Sequence, residues 1–163
     1  SGAASVERLR EQHAEYVRAR HRYGRGAEPL HVVAQTQVHV AETTAEAHAV
    51  LPFARWQARA VARVVQGRVD RGVLDATPAD DDPTDAVLLS RQFIGTPDQI
   101  VPRLQALSDA GVTHVSMLME FGGLDAARIE RSIRLVGREV IPALRDVTPP
   151  AGLVARALAA PAG

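Results

Sequence analysis

Val6, Leu9, His13, Tyr16 and Val17 recur at helical spacing and predict a helix from Ser5 to about His21, with Ser5 as its N-cap and Gly24 and Gly26 as its stop. Residues 30–41 are rich in β-branched types and too poorly periodic for an amphipathic helix, so they read as a strand. Thr43 with Glu46 fits a capping box that opens a helix of about twenty residues. Its apolar stripe is Ala47, Val50, Phe53, Trp56, Ala60 and Val64, and Pro52 inside it predicts a kink or a restarted first turn. From Gly67 to about Gln92 no period is sustained, and Thr77-Pro78-Ala79-Asp80-Asp81-Asp82-Pro83 reads as a solvated loop.

Beyond it, Phe93-Ile94-Gly95 is a short extended piece and Thr96-Pro97-Asp98 a helix start, with Thr as N-cap and Pro at the first helical position. That helix runs through Ile100, Val101, Leu104 and Leu107 to Gly111, and a second strand follows over Val112 to Met119. Glu120-Phe121-Gly122-Gly123 turns into a last helix whose inner face is Ile129, Ile133, Val136, Val140 and Leu144. Past Asp146, residues 147–163 are a Pro- and Ala-rich tail with no clear structural demand. Strands separated by helices imply a parallel α/β sheet. Two strands that read as buried on both faces cannot form such a sheet alone, so the chain by itself is expected to aggregate or stay partly unfolded.

Composition narrows the chemistry. The 163 residues carry 19 basic and 19 acidic side chains, which leaves no basic footprint for nucleic acid or an anionic membrane surface. With 46% hydrophobic and 23% charged residues the chain reads as globular, and no apolar run reaches the roughly 18 residues of a membrane span. It has no Cys, which removes disulfides and thiolate chemistry and suits a reducing cytoplasm. All basic residues are Arg, so Schiff-base and P-loop lysines are excluded, and there is no Asn to glycosylate. The start at Ser1-Gly2-Ala3-Ala4 instead of Met suggests a processed or truncated chain, with no signal-peptide pattern. The six histidines show no metal-ligand spacing, so no metal is expected, and no serine stands in a nucleophile elbow.

Several segments, in order, resemble the C-terminal end of the bacterial luciferase-like, flavin-dependent monooxygenases. They are Ile94-Gly95-Thr96-Pro97-Asp98-Gln99, Ala110-Gly111-Val112-Thr113-His114-Val115, Glu120-Phe121-Gly122-Gly123 and Glu139-Val140-Ile141-Pro142-Ala143-Leu144. Upstream, Val38 to Glu46 resembles the family's seventh strand running into its helix, and Leu51-Pro52-Phe53-Ala54-Arg55-Trp56 the aromatic segment of that helix. The resemblance implies a TIM (β/α)8 barrel of which residues 1–146 supply strands seven and eight with their helices, with residues 67–92 as a lid-like loop. It implies completion by an N-terminal half-barrel, as a separate chain or fragment, that carries most flavin contacts. It further implies reduced FMN and O2 acting on a small organic substrate, with a flavin reductase as supplier. The deazaflavin F420 with hydride transfer is the variant chemistry, and a non-catalytic half-barrel serving as a structural or binding subunit is the alternative from another class.

Site candidates follow from strand geometry and from that resemblance together. Barrel enzymes place chemistry at the C-terminal ends of strands, and Glu120 stands there, where relatives often have an acid; a helix-terminal carboxylate satisfied by nearby amides is the plainer option. Gln35, Gln37 and His39 share one face of the first strand. Polar groups facing a barrel interior need partners, so Gln35 and Gln37 are the candidates for hydrogen bonds to the flavin ring or substrate, against a water-bonded polar layer. Gln35 falls near a position that touches flavin in relatives. His39 reads as a structural histidine, with acid–base work as the other option. Trp56 is expected to pack its helix against the barrel.

Overall fold

The computed structural model describes residues 6–159, so Ser5, the expected cap of the first helix, and residues 160–163 of the tail lie outside the described residues. Helix α1 (Val6–Arg22) buries His13 and Val17, and strand β1 (Val33–Val40) follows it. Thr43 caps α2 (Thr44–His48) by accepting the Glu46 N–H at 3.2 Å. The expected twenty-residue helix is two helices, because α3 (Leu51–Val65) restarts with Pro52 in its first turn, where a missing N–H costs nothing.

The segment expected to be a loop is largely ordered. Strands β2 (Val69–Asp70) and β3 (Val73–Leu74) form a hairpin closed by Arg71 and Gly72, both at positive φ (47° and 81°), as a two-residue turn of the right twist requires. Helix α4 (Asp85–Arg91) is capped by Thr84, which accepts from Val87 N–H. Strand β4 (Phe93–Gly95) leads through Thr96, whose N–H donates to Gln99 Oε1 at 3.1 Å, into α5 (Pro97–Asp109). Strand β5 (His114–Leu118) precedes α6 (Ala126–Leu135), a π turn (Val136–Val140) and α7 (Ile141–Ala143). The tail is not without structure: α8 (Leu153–Ala159) lies against α1, where Arg18 donates to the Ala157 carbonyl at 3.2 Å.

The protein is a mixed α/β fold with a parallel sheet of three strands, in the order β4-β1-β5. The expected pair of long strands is adjacent and parallel, Val33 to Gln37 facing His114 to Leu118, and the short piece at Phe93–Gly95 joins as a third strand along Val38 to Val40. The sheet is open. Its strand order also differs from the sequential order of neighbouring barrel strands, because β1 takes the centre.

One face of this sheet is buried. Val38, Val40 and Phe93 pack with Ile100, Leu104 and Leu107 of α5 and with Leu135, Val136 and Val140. A second core joins Val50, Leu51 and Ala54 to Leu88, Ile94 and Phe121. Within this chain the opposite face of β1 and β5 is open, with Val33 63% and Leu118 40% exposed. The alternation along β5, where Val115 and Met117 are half-buried and His114, Ser116 and Leu118 exposed, shows the same one-sided cover.

Two helical stripes also turn out differently. In α3, Trp56 (42%) and Val64 (58%) are exposed while Arg59 and Arg63 turn inward. The cause is the acidic run: Arg59 Nε donates to both carboxylate oxygens of Asp82 at 2.9 Å and Nη1 to the Ala76 carbonyl at 2.9 Å. Asp82 is therefore the anchor of the 67–92 segment instead of a solvated charge. In α6, Ile133 faces outward, because Ser132 turns in to accept the Val40 N–H at 2.8 Å and so caps the open edge of β1.

Candidate functional site

A cavity of about 370 Å³ lies on the open side of the sheet. Its walls come from three places: β1 and β5 supply Gln35, Gln37 and Leu118, α3 supplies Gln57 and Val61, and the end of the 67–92 segment supplies Arg91 and Gln92. Alternation along β1 puts Gln35 and Gln37 on the face away from the α5 layer, opposite Ser116 and Leu118 in the register. Gln35 is exposed and Gln37 half-buried.

Four of the chain's eight glutamines thus meet on one cavity. Gln92 is 7% exposed, and its side-chain carbonyl is buried with no hydrogen-bond partner among the described residues. A buried acceptor left without a donor is costly. Gln57 is held in place differently, because its Oε1 accepts the Gly122 N–H at 3.2 Å, which leaves its amide protons to donate. Gln57 and Gln92 escaped the sequence reading because one lies on a helix and the other closes a segment read as a loop. Only the fold brings them beside Gln35 and Gln37.

Glu120 is exposed and stands apart from the residues that line the cavity. It lies two residues past Leu118, which lines the wall, and two before Gly122, which is bonded to Gln57. The structure therefore brings Gln35 and Gln37 together and leaves Glu120 beyond the strand end. Gly122 and Gly123 both have positive φ, 64° and 75°, as the expected turn requires.

His39 continues the Gln35–Gln37 face but is 4% exposed. Burial, then the nearby Arg128 and Arg131 guanidinium groups, push its pKa below the ordinary imidazole value, with Asp125 pulling the other way. It is held neutral, and its Nδ1 has no partner among the described residues. Among the described residues there is no group of three His, Asp or Glu side chains placed to hold a metal, and no helix long and apolar enough to cross a membrane.

Residues 1–114 match the family model of the luciferase-like monooxygenases. Gln35, Gln37, Gln57 and Gln92 all lie inside the matched stretch, whereas Leu118 and Glu120 lie beyond it. No curated protein matches the chain.

Proposed function

Because the chain belongs to the luciferase-like monooxygenase family, we propose that it forms part of a flavin-dependent monooxygenase barrel, with the glutamine-lined cavity taking the polar edge of the flavin ring. The observation that carries this reading is the convergence of four glutamines on one cavity. Amides offer both donors and acceptors, and the pyrimidine edge of an isoalloxazine alternates the same two functions. Leu118 and Val61 give the cavity apolar surface for the rest of a flat ring.

Reduced FMN bound there would supply the electrons that let O2 be divided between a small organic substrate and water. The chain's own residues would do the rest. Gln35 and Gln37 orient the ring by hydrogen bonds, and Gln57 is fixed for the same task by Gly122. Pro83 and Leu88, from the segment anchored by the Arg59–Asp82 pair, cover the cavity and exclude water, as a lid-like element would. Glu120, past the end of β5, would hold or move a proton at the mouth.

The open sheet supports a second part of the reading, completion by an N-terminal half-barrel from another chain or fragment. The face that carries Val33, Gln35, Gln37 and Leu118 is the one a closed barrel would turn inward, and the edge of β1 over Val33–Gln37 that faces away from β5 has no strand beside it among the described residues. A flavin reductase would deliver the reduced cofactor.

The test is a titration of FMN with the chain, followed by the flavin absorption bands. Each hydrogen bond contributes about 0.5 to 1.5 kcal/mol, so Gln35→Leu with Gln37→Leu is expected to weaken binding by roughly tenfold or more. A double variant that titrates like the parent would remove the reading.

A further inference from the structure

His31 and His114 stand far apart in the chain and meet in the fold, with ring centroids 5.6 Å apart and ring planes tilted by 48°. The strand register explains the meeting. Val33 of β1 faces His114 of β5, so His31, two residues before Val33, falls on the same side of the sheet as a diagonal neighbour of His114. Both side chains are exposed at the N-terminal end of the two strands, the end away from Glu120, and neither lines the glutamine cavity.

The backbone beneath the two rings is fixed. Val32 N–H donates to Thr113 Oγ1 at 2.8 Å, and the Val32 carbonyl accepts the Thr113 and His114 N–H groups at 2.9 and 3.1 Å. His31 precedes this clasp on one strand and His114 is part of it on the other, so the two positions move together. The same clasp orients one of the rings. With its hydroxyl hydrogen on the Val32 carbonyl at 3.1 Å, Thr113 is left to accept from His114 Nδ1, 2.9 Å away. Nδ1 then carries the proton, and Nε2 keeps the lone pair that a metal ion takes.

We propose that His31 and His114 together bind one divalent transition-metal cation of the zinc type, with water in its remaining positions. An imidazole nitrogen lies about 2.1 Å from zinc, so two rings on one tetrahedral ion have centres about 5 to 6 Å apart, the separation these two rings have. His114 binds through Nε2, and the Thr113 hydroxyl behind it supplies the oxygen partner that a ligating histidine's other nitrogen ordinarily has. Imidazole suits zinc, copper and nickel, whereas calcium and magnesium prefer oxygen ligands. Two protein ligands make the ion exchangeable, and its effect is that of a clamp across the start of β1 and β5, beside the exposed Val33. The inference does not rest on the flavin reading, because it uses none of the residues assigned to the ring.

The test is a titration of the full chain, without FMN, with zinc chloride, followed by calorimetry and by long-range nitrogen–proton spectra of the six histidine rings. Saturable binding of one ion is expected, with the ring nitrogens of His31 and His114 shifted and those of His21 and His48, which are also exposed, unmoved. His31→Gln and His114→Gln should each weaken zinc binding at least about tenfold, and His48→Gln should change it less than about threefold. Both ligands are exposed, so the variants should fold as the parent does, which unchanged far-ultraviolet circular dichroism would verify. Zinc should also raise the thermal midpoint of the parent and leave that of His114→Gln in place. No saturable binding up to millimolar zinc, shifts confined to the other histidines, or either ligand variant binding zinc as tightly as the parent would overturn the proposal.

Discussion

Gly122 is packed against the backbone of Phe53: a Cβ at Gly122 would come within 2.1 Å of the Phe53 carbonyl oxygen. The contact joins the turn after β5 to the first turn of α3, and the neighbouring bond from Gly122 N–H to Gln57 fixes a wall of the cavity.

Gly122→Ala should therefore lower stability by at least about 2 kcal/mol in urea unfolding, from left-handed backbone strain plus overlap with a carbonyl that cannot swing away. Gly123→Ala is the control, since it has the same backbone sign but open space around its Cβ position, and about 1 kcal/mol is expected there. Equal losses in the two variants would mean that the contact with Phe53 contributes nothing.

Acidification from neutral pH should destabilise the fold through two histidines. His13 and His39 both have lowered native pKa values, His13 by burial and His39 by burial with Arg128 and Arg131 against the opposing Asp125. An unfolded histidine takes its proton near about 6.5, so the stabilisation from keeping these rings neutral is complete above that value and lost as pH falls through it toward the native value. Thermal midpoints measured from pH 7.5 to 5.5 should fall, and His39→Gln should flatten the slope. A midpoint that stays level or rises would contradict this account of the two rings.

Glu120→Gln keeps size and hydrogen-bonding capacity while removing the charge. If Glu120 moves a proton at the mouth, steady-state turnover of the assembled enzyme should drop at least about tenfold while FMN affinity is unchanged. Full turnover in the variant would reduce the carboxylate to a strand-end charge.

Much of the fold was legible from local rules. The Thr43 cap, the restart at Pro52 and the Thr96-Pro97 helix start each follow from chemistry confined to a few neighbouring residues. The failures share a physical cause, which is pairing across long sequence separations. Arg59 and Arg63 lie outside the predicted apolar stripe, yet Asp82 and Asp81, about twenty residues on, draw them inward while Trp56 is left exposed. Ile133 read as core until Ser132 was claimed by the backbone of Val40. The candidate site divides the same way. Gln35 and Gln37 were visible because strand alternation puts them on one face, while Gln57 and Gln92 reach the cavity only through α3 and the ordered 67–92 segment.

The central claim is that a flavin lies against these four amides, and the side-chain amide resonances of the eight glutamines test it directly. In a two-dimensional nitrogen–proton spectrum of the labelled chain, addition of FMN should shift the amides of Gln35, Gln37, Gln57 and Gln92. Those of Gln12, Gln66, Gln99 and Gln105, which do not line the cavity, should stay in place. Flavin-induced shifts confined to the second group, or no shift in the first at saturating FMN, would contradict the account.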